Sequence, residues 1–275
     1  MQKRFIIIIS SVILTAVAVL AIYKITAGIN HSKSPANIKN EAQARPDVFS
    51  PATEYEKKFD LIKARDEYRK IIEKSQNTDD IAKAVELLNN LNIRILFSPI
   101  VTPDSVVYEI RKGDTLAKIA KKFNTTMDLI SKANGLKNTN IKFGRPLKIT
   151  RTKFTIAVDK PHNILTLQSG GNIVKTYRIS TGANNSTPVG TFTITNKIVY
   201  PVWYTEGAVV PSESPKNILG SRWMGISKKG YGIHGTTEPQ AIGASVTAGC
   251  VRMKNEDVEE LYTIVPEGTE VIIMD

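Results

Sequence analysis

The feature that most constrains this chain is an uncharged, apolar run of nineteen residues near its N-terminus, residues 5–23. As a helix rising about 1.5 Å per residue, this run would be about 28 Å long, close to the thickness of a bilayer core. Lys3 and Arg4 precede the run, so the positive-inside rule predicts a cytoplasmic N-terminus and an exported remainder. A cleaved signal peptide is the alternative, but its apolar part is usually only about 7 to 15 residues long and no clear small-x-small cleavage site follows here. We therefore expect a single-pass membrane anchor over residues 1–26.

Composition excludes two kinds of protein for the part that follows this run. With 41% hydrophobic residues, the chain is too apolar to be intrinsically disordered. The single cysteine, Cys250, excludes an internal disulfide, and the three histidines leave too few ligands for a structural zinc site. We expect neither a metal nor a cofactor.

Beyond the anchor, composition and periodicity divide the chain into four segments, which predicts a multidomain α+β protein. Residues 27–51 are rich in Asn, Ser, Lys, Ala and Pro and are expected to be a solvated linker. Residues 52–97 carry apolar positions at helical spacing with a polar break near their middle, which predicts a helical hairpin that acts as a spacer. Two compact segments follow, at residues 105–150 and 152–275.

Residues 105–150 have the pattern strand, helix, helix, strand. Residues 107–110 alternate as a strand does, the turn at 113–115 caps a first helix, and Thr126 caps a second helix before a returning strand. Three stretches, YEIRKGDTLAKIAKKF, ANGL and GRPLKI, resemble the LysM family along about 45 residues. The resemblance implies a βααβ fold that binds N-acetylglucosamine-containing glycans such as peptidoglycan.

By the same resemblance, the glycan groove would lie between the segments 113–116 and 133–143. A module that keeps the fold but has lost its ligand is the alternative. The glycan-binding residues that the resemblance implies are Gly113, Asp114, Thr115, Leu116 and Asn134.

This module also concentrates positive charge. It holds ten Lys and Arg against three Asp and Glu, so its formal charge is +7 out of +11 for the whole chain. A basic patch can indicate a nucleic-acid partner, but an exported protein meets anionic wall polymers and lipid headgroups, which attract the same charges. We therefore expect no nucleic acid as a partner. The alternative is that the positive charges form a solvated surface that binds no partner.

The final segment, 152–275, changes character to short alternating strands separated by turns. Three strands are predicted with turns at 159–163 and 169–172, and the stretch TPVGTFTITNKI begins a fourth. One helix is expected near the C-terminus, with Asn255 as its N-cap and two acidic residues in its first turn. The domain is therefore predicted to be mainly β.

Cys250 is the candidate nucleophile of this domain. A lone thiol outside the cytoplasm is either buried and inert or retained for its reactivity. Gly249 before it would let a substrate carbonyl approach, and a helix N-terminus close by could bind an oxyanion. A thiol nucleophile needs a base, which could be His162, in a turn that already explains it, or His234, between glycines at a strand end. We favour His234.

At these residues the sequence resembles the L,D-transpeptidase catalytic domain over about 120 residues, through HGT, GCVRM, TPVGTF, NILGSRW, NEDVEELY and VPEGTEVII. The resemblance implies a β-sandwich-type domain in which Cys250 attacks a peptidoglycan stem tetrapeptide, expels its terminal D-Ala and forms a thioester. His234 would activate the thiol and then the acceptor amine. Gly235 or Thr236 would orient the histidine, and the N–H groups of Gly249 and Cys250 would form the oxyanion hole.

The chain departs from the family pattern just before the cysteine. The family usually reads Ser-x-Gly-Cys, commonly with His at x, whereas this chain has Thr247 and Ala248 before Gly249. Thr247 keeps the hydroxyl, but Ala248 offers neither a ring nor a donor. Arg252 matches the family arginine, which implies a role in holding a substrate carboxylate or the active-site loop, with a structural ion pair as the alternative.

Three aromatic residues, Tyr231, Trp203 and Trp223, could line the substrate cleft, although aromatics in a β domain are more often part of the core. The expected function is a transpeptidase of the cell envelope that acts on peptidoglycan stem peptides and binds glycan strands. An L,D-carboxypeptidase that releases the same thioester to water is one alternative. A non-catalytic wall-binding protein is the other.

Overall fold

The computed structural model describes residues 47–205 and 207–275. The predicted membrane anchor and nearly all of the predicted linker lie outside these ranges. Within them, none of the helices combines the length and the apolarity that a bilayer span requires. The chain separates into two compact units, with the division between Asn92 and Ile93.

Three helices form the first described part: α1 (Ser50–Lys57), α2 (Leu61–Lys74) and α3 (Thr78–Leu96), the last of which continues into the second unit. The sequence predicted a hairpin of two helices, and that prediction was wrong at residues 58–60. Phe59 adopts a left-handed backbone (φ 58°) that ends α1. The Asp60 side chain then accepts a hydrogen bond from the Lys63 N–H at 3.2 Å and caps α2.

The βααβ order predicted for residues 105–150 is confirmed. It consists of β1 (Ser105–Glu109), α4 (Leu116–Phe123), α5 (Met127–Ala133) and β2 (Pro146–Thr150), with β1 and β2 antiparallel. Thr115 and Thr126 cap α4 and α5 as predicted, each accepting a hydrogen bond from the N–H three residues on.

The remaining residues form twelve strands and one long helix. The strands are β3 (Phe154–Asp159), β4 (Ile164–Ser169), β5 (Asn172–Arg178), β6 (Thr181–Gly182), β7 (Gly190–Val199), β8 (Trp203–Thr205), β9 (Ala208–Val210), β10 (Arg222–Ile226), β11 (Gly232–His234), β12 (Ser245–Thr247), β13 (Val251–Arg252) and β14 (Glu270–Met274). The helix is α6 (Asn255–Ile264), and two short 3₁₀ turns lie at Ala183–Asn185 and Pro239–Ala241.

Eight of these strands form one mixed sheet in the order β13-β11-β10-β7-β14-β3-β4-β5. Strand β7 is long enough to have two partners, because residues 190–193 pair with β14 and residues 194–199 pair with β10. The domain is mainly β, as predicted. The family resemblance implied a β-sandwich type, whereas the two halves of this sheet are continuous through β7. Both halves and α6 contribute to one apolar core.

Helix α6 lies between β13 and β14 in the sequence, and it corrects one prediction. The helix begins at Asn255, so Lys254 occupies the N-cap position and no side chain caps it. Glu256 and Asp257 lie in the first turn as expected. Its apolar face, which includes Val258 and Leu261, is fully buried.

The LysM-like module packs directly on α6 within the second unit. Leu129 of α5 is 1% exposed and belongs to the core of the sheet domain. The Thr126 hydroxyl donates a hydrogen bond to the carbonyl of Thr263. These contacts make the module and the sheet domain one packed body.

Candidate active site

Strand pairing brings the predicted nucleophile and base together. Strands β11 and β13 are parallel, with Ile233 opposite Val251 and His234 opposite Arg252. Cys250 immediately precedes β13. His234 and Arg252 are opposite each other, and Cys250 lies two residues before Arg252. The Cys250 thiol lies close to the N–H of Gly232, two residues before His234 on β11.

The His234 imidazole is buried and held in one tautomer. Its Nδ1 lies 2.7 Å from the carbonyl oxygen of Gly235, which can only accept, so Nδ1 carries the hydrogen and Nε2 keeps its lone pair. Burial lowers the pKa of His234 to about 4, and the Arg252 charge also lowers it, whereas the carbonyls of Gly235 and Leu219 act in the opposite direction. At neutral pH the ring is uncharged and able to accept a proton.

Cys250 is half-buried, and its thiol is also uncharged at neutral pH. Burial raises the pKa of the thiol above its usual value, although the Gly232 N–H and the Arg252 charge both oppose this. The sulfur donates to the carbonyl of Gly230 at 3.7 Å, and among the described residues it makes no hydrogen bond to His234. The thiol must therefore turn towards the imidazole before it can transfer its proton.

The Thr247 side chain organises the turn that carries the cysteine. Its hydroxyl donates to the carbonyl of Cys250 at 2.6 Å and accepts from the N–H of Gly249 at 3.2 Å. The hydroxyl that Thr247 shares with the family serine therefore forms two hydrogen bonds within this turn. The Gly249 N–H is already engaged, which conflicts with the prediction that it serves in the oxyanion hole. Ala248 is exposed beside it.

Two of the three predicted cleft aromatics lie beside this site. The Trp223 ring stacks on His234 with 5.9 Å between ring centroids and an interplanar angle of 19°. The Tyr231 ring packs against Gly249, where an added Cβ would come within 2.7 Å of it. Trp203 instead lies on β8, opposite Val210 in a separate two-stranded hairpin.

His162, the alternative base, has a structural partner elsewhere. It lies in the turn between β3 and β4, where its Nδ1 is 2.8 Å from a carboxylate oxygen of Asp159. The backbone N–H of His162 binds the same carboxylate at 3.1 Å. The turn therefore accounts for this histidine, as the sequence indicated.

Comparison with known proteins identifies two domain families in this chain. The family described as the L,D-transpeptidase catalytic domain (YkuD) matches residues 153–273, and the LysM domain family matches residues 108–150. The Bacillus licheniformis protein named as L,D-transpeptidase YkuD is 36% identical over 176 residues, which cover 61% of this chain and 98% of that protein. The chain belongs to the L,D-transpeptidase family.

A second relative of this L,D-transpeptidase has the same coverage. The YkuD protein of Bacillus subtilis strain 168 is 34% identical over 175 residues, or 61% of this chain and 98% of its own length. Among solved structures, the NMR structure of the Enterococcus faecium L,D-transpeptidase catalytic domain is 23% identical, with a TM-score of 0.38. It aligns with 44% of this chain and 97% of that chain.

Arg252 of the L,D-transpeptidase is a buried cation close to the cysteine. It is 6% exposed, and one of its terminal nitrogens lies 3.1 Å from a carboxylate oxygen of Glu238. The Nε atom is buried without a hydrogen-bond partner. The structural ion pair is therefore present, and Nε keeps one donor unused.

Asn255, which was predicted to be an N-cap, instead binds two distant backbone segments through its side chain. Its Oδ1 accepts from the N–H groups of Ser221 (3.1 Å) and Thr236 (3.0 Å), and its Nδ2 donates to the Thr236 carbonyl (2.9 Å). The Thr236 hydroxyl accepts from Glu238 N–H, so the Gly235 carbonyl is the group that orients the imidazole. Two glycines, Gly220 in GSRW and Gly235 in HGT, could have indicated this role, since they leave room for the Asn255 side chain.

In the LysM module, several predicted glycan-binding side chains serve the fold. Leu116 is buried in the module core at 2% exposure. The Asp114 carboxylate accepts from the Tyr108 hydroxyl and from a backbone N–H, both at 2.8 Å. The Asn134 amide donates to two carbonyls and accepts from the N–H of Lys148.

The other two predicted glycan residues lie in the turn before α4. Gly113 has a positive φ of 85°, and Thr115 caps the helix. Sequence reasoning did not single out Phe143, which is 74% exposed at the end of the segment 133–143. An exposed aromatic ring in this position offers an apolar face to a ligand.

Proposed function

We propose that this L,D-transpeptidase works outside the cytoplasm on peptidoglycan and that Cys250 is its nucleophile. In the first step the sulfur attacks the carbonyl that joins the stem peptide to its terminal D-Ala. The C–S bond of a thioester forms, the amide C–N bond breaks, and D-Ala leaves as an amine. In the second step an acceptor amine attacks the thioester and releases the thiol.

His234 carries the proton in both steps. Because the thiol and the imidazole are both neutral, the proton moves to Nε2 as the sulfur attacks, rather than before it. The Gly235 carbonyl stabilises the resulting imidazolium through Nδ1–H, 2.7 Å away. The imidazolium then protonates the departing D-Ala amine, and the neutral ring later removes a proton from the acceptor amine.

Charge on the tetrahedral intermediate would be stabilised mainly by the Cys250 N–H. The Gly249 N–H is bound to the Thr247 hydroxyl in the free enzyme, so it would contribute only if the turn rearranged. Arg252, which is buried and paired with Glu238, would add a positive charge close to Cys250 and hold the active-site loop. Tyr231 and Trp223 would form apolar walls of the substrate cleft.

The LysM module would hold the enzyme on glycan strands. The groove that the LysM resemblance implies would lie between the segments 113–116 and 133–143, whereas Thr126 and Leu129 pack on the catalytic domain. Residues 1–26 would anchor the chain to the membrane. Protease added outside spheroplasts should then digest the catalytic domain, and protection of that domain would contradict the proposed topology.

The observation that carries the proposal is that the Cys250 thiol lies beside β11, the strand that ends at His234, and that the Gly235 carbonyl fixes His234. Its test is mass spectrometry of muropeptides after incubation of the protein with disaccharide tetrapeptides. We expect loss of D-Ala, a thioester adduct on Cys250 and cross-linked dimers. Cys250→Ala should give none of these products. The control is His162→Ala, which changes the histidine of the β3–β4 turn and should give all of them.

Two outcomes favour the alternatives. Tripeptides without dimers would show that water is the acceptor and that the enzyme is an L,D-carboxypeptidase. Retention on peptidoglycan without any adduct on Cys250 would show a wall-binding protein without catalytic activity.

A further inference from the structure

Asn255 connects three parts of the catalytic domain that are far apart in sequence. It is the first residue of α6, its Oδ1 receives the N–H groups of Ser221 and Thr236, and its Nδ2 donates to the Thr236 carbonyl. Both backbone polar groups of Thr236, which is 2% exposed, therefore bind one side chain. The amide thus uses both its acceptor and its donor function on the chain just after His234.

The space around this amide is closely fitted. A Cβ placed on Gly235 would lie 2.2 Å from Asn255 Oδ1, and a Cβ placed on Gly220 would lie 2.3 Å from it. Both contacts are far shorter than real Cβ contacts, so the two glycines allow the backbone to approach the amide. The residue whose carbonyl holds the imidazole, Gly235, is thus in direct contact with Asn255.

Helix α6 makes this contact rigid. Val258, Leu261 and Ile264 of the helix are fully buried in the core. Through its hydrogen bonds to Thr236, the Asn255 side chain holds the loop that follows β11 in a fixed position relative to the helix. Such a contact can set the orientation of a catalytic side chain without touching the substrate.

We propose that Asn255 is a positioning residue, which sets the direction of the His234 imidazole through the peptide of Gly235 and Thr236. The inference rests on the proposed role of His234 as the base. A shift of the Gly235 carbonyl would turn Nδ1–H, and with it the Nε2 lone pair that must face the Cys250 thiol. Asn255 itself contacts none of the reacting atoms.

The test uses the full chain with Asn255→Ala, Asn255→Asp and a matched control, Asn77→Ala. The Asn77 Oδ1 also accepts from two backbone N–H groups, those of Asp79 (2.9 Å) and Asp80 (3.0 Å), but it does so at the start of α3 in the first unit. We measure kcat and KM for D-Ala release, and the NMR signals of the imidazole nitrogens in protein carrying ¹⁵N-histidine. Thermal unfolding measures stability in the same samples.

We expect Asn255→Ala to lower kcat by roughly tenfold or more, with a smaller change in KM, because misorientation affects the reaction step. The His234 Nδ1–H signal should move or broaden, while that of His162 stays in place. Asn77→Ala should reduce stability and leave kcat within about twofold of the parent value. Asn255→Asp keeps the acceptor oxygen but loses the donor to Thr236, so it should show a smaller loss in kcat.

An unchanged His234 signal in a folded Asn255 variant would overturn the proposal, as would equal losses of kcat in the Asn77 and Asn255 variants. If Asn255→Ala does not fold, Asn255→Asp decides by the same criteria. The NMR signal does not depend on turnover. A shifted signal in a protein whose Cys250 never forms an adduct would leave the positioning role standing and reject the proposed function.

Discussion

Thr126 of the LysM module donates its hydroxyl hydrogen to the carbonyl of Thr263 in helix α6 of the catalytic domain. Leu129, one turn further along α5, is buried with the catalytic core at 1% exposure. A glycan-binding module that shares core residues with a catalytic domain is not an independent attachment. Removing residues 105–150 would expose apolar surface of the catalytic domain.

The first prediction concerns this shared core. Leu129→Ala should lower the free energy of unfolding by about 2–5 kcal/mol, because it removes buried methyl groups and leaves a cavity. Both tryptophans, Trp203 and Trp223, lie in the catalytic domain, so their fluorescence during urea unfolding reports on that domain. Phe143→Ala, at an exposed position of the same module, is the control and should change little. An unshifted tryptophan transition in Leu129→Ala would show that the two domains unfold independently.

The second prediction concerns stability below neutral pH. The His234 pKa is lowered to about 4 in the folded protein from an ordinary value of 6.5. The unfolded chain therefore binds more protons between these values, and stability falls as the pH decreases from about 6.5 to 4. The loss is on the order of 3 kcal/mol. Urea unfolding at several pH values should show a smaller pH dependence in His234→Gln than in the parent, and equal dependence would contradict this.

The third prediction concerns the reactivity of Cys250 in the free enzyme. Since burial raises the pKa of the thiol, alkylation by iodoacetamide should be slow at pH 7 and should keep rising with pH through the neutral and alkaline range. A preformed thiolate–imidazolium pair would instead give a fast, flat rate across neutral pH. Mass spectrometry of the alkylated protein measures the rate, and Cys250→Ala gives the background. A plateau between pH 5 and 8 would reject the neutral pair.

The fourth prediction concerns the basic surface of the LysM module. Lys148 is buried, and among the described residues none of the module's nine exposed Lys and Arg forms an ion pair. Retention on insoluble peptidoglycan should therefore have a part that falls as salt rises, since exposed charges are screened beyond about 10 Å at 0.1 M. Changing Lys118, Lys121 and Lys122 to Gln should reduce that part.

The control for this experiment changes three exposed lysines of the first unit, Lys58, Lys74 and Lys83, to Gln. Both variants have the same net charge, so a difference in retention belongs to the position of the charges. Equal retention would show that the basic surface is only solvated. Alkylation of Cys250 should be the same in both variants.

Local sequence patterns were sufficient to predict several contacts whose partners are close in sequence. The caps at Thr115 and Thr126 each bind an N–H three residues on, so the residue type and its position predict the contact. The turn between β3 and β4 explained His162 for the same reason. The break at Phe59 was missed because helical spacing of apolar residues continues across it.

By itself, the sequence determined the βααβ module, the β-rich final domain and the pairing of Cys250 with His234 as candidates, because periodicity, capping and residue chemistry are local. The tertiary structure alone decided which donors and acceptors are free. Asn255 suits an N-cap locally, but its partners lie 34 and 19 residues away, and the folded loops bring them to its amide. Strand β7 joins both halves of the sheet, and burial leaves the His234 imidazole uncharged at neutral pH. These properties depend on contacts between distant segments, which no local pattern contains.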